Sequence, residues 1–145
     1  MRVIDLKNQY FRDVGDYGKY GMLRFFANNG MNIAINWYLT PNDGSNDGKH
    51  ISYLNDKKMR RFDPELFDLL SEMLGNDIRN IKAFEEQDKI PGAIYYNKLL
   101  DNTETTRSEK RVLRTKWHKD ALDTCKEADL VFWDPDNRNV RCLTQ

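Results

Sequence analysis

The run Leu130-Val131-Phe132-Trp133, followed at once by Asp134-Pro135-Asp136-Asn137, constrains this chain more than any other stretch. Four consecutive apolar residues, two of them aromatic, read as a short strand buried on both faces. Asp, Pro, Asp and Asn in succession end it with strong turn chemistry. A strand with no polar side needs cover on both faces, which an α/β layer arrangement provides. In open sheets of that kind, ligands bind beyond the carboxyl ends of the strands, so the turn at 134–137 is the first candidate for a site.

The remaining chain supplies the layers. From about Asp16 a helix is expected, with Tyr20, Leu23, Phe26 and Ala27 on one stripe and Asn28-Asn29-Gly30 as its stop. Gly15, Gly18 and Gly21 are costly inside it, which predicts a close approach to its backbone by a neighbouring strand or, alternatively, a ligand. Met31 to Thr40 alternates Ile33, Ile35 and Trp37 with Asn32, Ala34 and Asn36 and reads as a strand. It runs into a loop with two Asp-Gly units, Asp43-Gly44 and Asp47-Gly48. At a strand's carboxyl end such a loop is either a plain surface connection or a cradle for phosphate or a nucleotide cofactor. Asp63-Pro64-Glu65 starts a helix through cap, proline and first-turn acid, with Leu66, Phe67, Leu70, Met73 and Leu74 as its core face and Gly75 as its stop. Ile78 to Phe84 alternates less cleanly and is read as a strand, and Ile94-Tyr95-Tyr96 as another.

A long helix follows over about Arg107 to Glu127, with Leu113, Trp117, Ala121 and Cys125 on its buried stripe. Its first half carries Arg107, Lys110, Arg111, Arg114, Lys116 and Lys119 against Glu109 alone. That is a local basic face in a neutral chain, since 23 Lys plus Arg balance 23 Asp plus Glu. It is either a solvated helix surface or a contact for phosphates or an acidic partner. The predicted architecture is a mostly parallel α/β sheet with flanking helices in a single domain spanning 1–145. Two cysteines make no disulfide framework and suit a reducing cytoplasm, and no apolar run approaches a membrane span or a signal peptide. His50 and His118 lack partners at metal-ligand spacing, so no metal site is expected from them.

Asp129-Leu130-Val131-Phe132-Trp133-Asp134-Pro135-Asp136-Asn137 resembles the D-P-P-Y block of Rossmann-type, S-adenosylmethionine-dependent amino-methyltransferases. Residues 13–24 are loosely similar to the helix entry of ribosomal-RNA adenine-N6 methyltransferases. Together with Trp37-Tyr38-Leu39-Thr40-Pro41 they look closer still to a protein family of bacteria and phages. The resemblance implies an incomplete Rossmann-like fold. It implies that the Asp134 side chain and the Pro135 carbonyl accept a target amine's hydrogens, with Asp136 and Asn137 completing the block. It also places S-adenosylmethionine against Asp43, Gly44 and Gly48. Position 136 is Asp where that block has Pro, and position 137 is Asn where it has an aromatic, so the base-stacking side chain is missing unless Trp133 replaces it.

The favoured expectation is therefore a non-catalytic interaction protein derived from that fold, an inhibitor of a host nucleic-acid-processing or defence system carried by a phage or mobile element. Its partner is a protein complex or nucleic acid, held through Arg107, Lys110, Arg111, Arg114 and Lys119, and an open sheet edge invites homodimerisation. The alternatives are an active N6-adenine-type methyltransferase and a metal-dependent nuclease using Asp43, Asp47, Asp134 and Asp136.

Overall fold

The structure, a computed structural model, describes residues 14–41, 50–78, 80–101 and 106–134. The order is α1 (Val14–Asn28), β1 (Ile33–Asn36), α2 (Pro64–Gly75), α3 (Ile81–Glu85), β2 (Ile94–Tyr96), α4 (Arg107–Cys125) and β3 (Leu130–Trp133), with two single 3₁₀ turns at Ser52–Asn55 and Met59–Arg61. The three strands form one parallel sheet in the order β2-β1-β3. β1 is central, pairing Ala34 with Ile94 on one side and with Val131 on the other.

Side-chain alternation along β1 divides the chain into two cores. Ile33 and Ile35 face α1, α2 and α3, whereas Ala34 faces α4. The first crossover, from β1 to β2, moves one way across the sheet; the second, from β2 to β3, moves back over β1. Right-handed connections then require helices on opposite faces, as observed. β1 is consequently buried at all four positions, while β3, at an edge, is only half-buried throughout. The apolar run at 130–133 was expected to be covered on both faces. Its lack of a further neighbouring strand among the described residues leaves that cover incomplete.

The helix signals translate closely into structure. Asp63 caps α2 by accepting a hydrogen bond from the Leu66 amide at 3.1 Å, and Pro64 opens the first turn. Leu66, Phe67, Leu70 and Met73 are buried against α1 and β1. The same Asp63 carboxylate holds Arg24 of α1 at 2.7 Å, and Glu65 binds the other end of the guanidinium at 2.9 Å. Arg24 also donates to the Lys89 carbonyl. A guanidinium with 7% of its surface exposed is thus satisfied by two carboxylates and a backbone oxygen, fastening α1 to the start of α2.

Two expectations are corrected. Residues 78–84 do not form a strand: Asn80 caps Lys82 at 2.9 Å and starts α3, whose Ile81 and Phe84 reach the core with helical spacing. Local side-chain capping outcompetes a ladder here, because no strand among the described residues lies beside the segment. Nor does any described strand approach Gly18 or Gly21 of α1, since a Cβ added at either meets nothing within 4 Å. These glycines instead floor an open groove of about 570 Å³ bounded by Val14, Phe25, Met59 and Phe62.

Replacing Arg24 by Met leaves the Asp63 carboxylate, which is largely buried, without its cation. The expected loss is about 3 kcal/mol in unfolding free energy by urea titration. Arg60→Met, which breaks an exposed pair with Asp68, leaves the midpoint unmoved. Equal midpoints for all three proteins would show that Arg24 does not fasten α1 to α2.

Candidate functional site

The carboxyl ends of all three strands lie along one edge of the sheet, because the strands are parallel. Successive crossovers run in opposite directions across the sheet, so the point where they change face lies between β1 and β3. The residues at that point are Asn36 and Trp133, directly paired in register, followed by Asp134.

Asp134 is the first predicted site residue and the one member of the turn within the described residues. Pro135, Asp136 and Asn137 lie outside them, as do Asp43, Gly44, Asp47 and Gly48. Asp134 continues the ladder through its amide, which donates to the Asn36 carbonyl at 3.0 Å. Its carboxylate receives the Lys19 ammonium at both oxygens, at 2.8 and 2.9 Å. Lys19 also stands 3.6 Å from Asp16, one turn earlier in α1, and Asp16 is hydrogen-bonded by the Tyr20 hydroxyl. Desolvation is the largest influence on Lys19 and lowers its pKa, but the hydrogen bonds and charges of Asp134 and Asp16 outweigh it and the net shift is upward. The cluster joins α1 to the end of β3 across 115 positions of sequence. Sequence reading singled out both stretches without connecting them, although Asp16 and Lys19 already stood at helical spacing.

On the same edge, Glu85 accepts from the Trp37 indole at 2.7 Å and from Asn97 at 2.8 Å. Burial raises its pKa, and those two hydrogen bonds oppose the rise. These contacts tie the exits of β1 and β2 to α3. On the α4 side, Asn36 is fully buried and its Oδ1 accepts from the Tyr38 amide at 2.9 Å. This contact turns the chain out of β1 with Tyr38 at φ 52°, a left-handed conformation rare for a non-glycine residue. The Asn36 Nδ2 has no hydrogen-bond partner among the described residues.

The basic helix α4 runs antiparallel to the strands. The Trp117 indole donates to the Lys98 carbonyl at 2.8 Å and the Tyr96 hydroxyl donates to the Trp117 carbonyl at 2.9 Å, both at the exit of β2. At the other end, the turn after Cys125 delivers Asp129 to the Asn32 carbonyl, at the entry of β1. The helix therefore lies on the sheet only from Trp117 onward. Residues 107–116 project about 15 Å past the sheet edge. Thr106 and Glu109 form a capping box that starts this overhang.

Helical periodicity sorts the predicted basic residues by direction. Trp117, Ala121 and Cys125 are the buried stripe. Continued toward the N-terminus, that stripe becomes Arg114, Lys110 and Arg107, with Arg111 beside it; Lys116 and Lys119 point the other way. Four of the five predicted contact residues thus converge and Lys119 does not. Leu113, expected in the buried stripe, is 39% exposed because the sheet has already ended at its level. Among the described residues, no ion pair involves Arg107, Lys110, Arg111 or Arg114. Below this overhang the His118 and Trp133 rings meet at 5.2 Å between centroids. Sequence reading offered Trp133 as the one replacement for the missing base-stacking aromatic, and gave His118 no contact role.

Lys19 tests the electrostatics of the edge. Its folded-state pKa stands above the ordinary 10.5, so the stability it contributes is complete below pH 10.5 and is lost as pH rises through the folded value. Urea titrations of the unsubstituted protein and Lys19→Met are expected to differ by a constant amount from neutral pH to that point and to converge above it. A gap that persists unchanged at higher pH would assign the effect to packing of the lysine stem. No protein-family model matches the chain, and no curated protein or solved structure matches it either.

Proposed function

We propose that this chain works by binding rather than by turnover, and that its ligand is a phosphate-bearing polymer, a nucleic acid. The observation that carries the reading is the change of character along one stripe of α4. Where the stripe meets the sheet it is Trp117, Ala121 and Cys125; where it passes the sheet edge it is Arg107, Lys110 and Arg114. A merely solvated helix face has no reason to concentrate cations on the side turned toward the crevice. Guanidinium and ammonium groups without an ion pair among the described residues are available to phosphate oxygens, whose counterions they displace.

The state of Asp134 supports binding over methyl transfer. An ammonium on both oxygens of Asp134 lowers the carboxylate's pull on an amine's hydrogens and occupies the space beside it, although each oxygen keeps a further acceptor site. The residues that the resemblance gives to S-adenosylmethionine, and three of the four acids of the nuclease reading, lie outside the described residues. The strand order supports a doubly wound sheet with a switch point after two strands, an incomplete Rossmann-like core in our reading.

Fluorescence anisotropy with a labelled oligonucleotide tests this reading. Four converging cations predict a slope of about −3 in log affinity against log salt concentration. Arg111→Glu with Arg114→Glu is expected to lower affinity at least tenfold, roughly what two lost and reversed contacts produce. Lys116→Glu with Lys119→Glu, on the opposite side of the helix, is expected to change it far less. Equal effects from the two double substitutions would reduce the stripe to general charge, and salt-independent binding would sink the reading.

A further inference from the structure

We infer that the bound polymer is single-stranded and that one of its bases stacks at the Trp133–His118 pair. The inference rests on the proposed phosphate-binding role of α4 and adds to it the chemical form of the ligand. Arg107, Arg111, Arg114 and His118 are spaced by four, three and four residues, so they form one straight row on the flank of α4 that faces β3. Side chains so spaced are about 5–6 Å apart at their Cβ atoms, and the row extends for about 16 Å along the helix. It ends on an aromatic pair, because His118 lies 5.2 Å from the Trp133 ring at an interplanar angle of 50°.

A row of cations leading to an aromatic face is the arrangement that holds a single strand. The cations follow the backbone, and any base offers a π face to the ring at the end. Duplex DNA hides those faces between stacked pairs and presents only base edges in its grooves. A helix that enters a major groove does so with an exposed outer side. The outer side of α4 here carries Val112, which is 67% exposed, the acidic Glu109, and Lys116 and Lys119. Arg107, Arg111 and Arg114 point instead into the angle between the overhang and the sheet edge. Asn36 lies at the floor of that angle, with a buried amide nitrogen that no acceptor among the described residues satisfies. Trp133 is half-buried, paired to Asn36 across the sheet, so its position is set by the ladder rather than by a loop.

The test compares three labelled probes at one salt concentration: a mixed-sequence single strand of about a dozen nucleotides, within the site size of such a surface, its duplex, and heparin. The single strand is expected to bind about tenfold more tightly than the duplex. Trp133→Ala is expected to weaken the single strand about tenfold, leave heparin unchanged, and be rescued by Trp133→Phe. His118→Ala, at an exposed position, makes the same comparison if Trp133→Ala fails to fold, as judged by circular dichroism. Heparin and both nucleic acids binding alike, with no response to either aromatic substitution, would overturn the single-strand inference while the phosphate-binding reading stands. Failure of all three probes to bind would overturn both.

Discussion

Every larger feature of this molecule depends on four residues being buried on both sides. Among the described residues Ile33-Ala34-Ile35-Asn36 is the one strand paired along both edges, and its alternating side chains belong to separate cores. The first core is large and aromatic: Tyr20 stacks on Phe84 at 4.5 Å between centroids and meets Trp37 edge-on at 5.6 Å. The second is small, built from Ala34, Tyr96, Trp117, Ala121 and Cys125. With so little apolar area on the α4 side, one helix suffices to cover it, and that helix is longer than the sheet it covers. The overhang follows from this mismatch. A 19-residue helix extends about 28 Å, whereas a four-residue strand extends about 13 Å.

The mismatch also explains why chemistry concentrates at a single edge. Parallel strands put all their carboxyl ends on one side, and an antiparallel crossover helix necessarily begins on that side. The N-terminal half of α4 is therefore delivered to the edge where β1 and β3 part. Its cations are excluded from the apolar second core by the cost of burying charge, and beyond the sheet they meet no such cost. Trp117 marks the boundary, with its ring between Tyr38 and Tyr96 and its indole nitrogen satisfied by the Lys98 carbonyl.

How much of this was legible in the sequence depended on whether the deciding interaction was local. α2 was readable because Asp63, Pro64 and the apolar stripe all act within one helix, and β2 because its short apolar run has turns on either side. Residues 81–85 misled because a three-residue apolar spacing serves a short helix as well as a poor strand, and Asn80 decides between them through one capping bond. The glycines of α1 suggested close packing, but sequence cannot separate a glycine that admits a neighbour from one that lines an open groove. The basic character of α4 was visible; the direction of each cation was not, since that requires knowing where the sheet ends. The Lys19–Asp134 contact was invisible, as nothing in either stretch specifies the other.

That contact carries the strongest argument about the edge. An ion pair with its two side chains 37% and 28% exposed contributes little to stability in isolation, about 0–1 kcal/mol. Its importance is positional. β3 is an edge strand that is nowhere fully buried, so its exit toward Asp134 is held by one ladder bond to Asn36 and by Lys19. Releasing Lys19 frees a carboxylate beside the crevice and loosens the strand that carries Trp133. Retaining it places a cation on both oxygens of that carboxylate and ties the exit of β3 to α1, so the end of the least buried strand is fixed by a residue 115 positions away in the sequence.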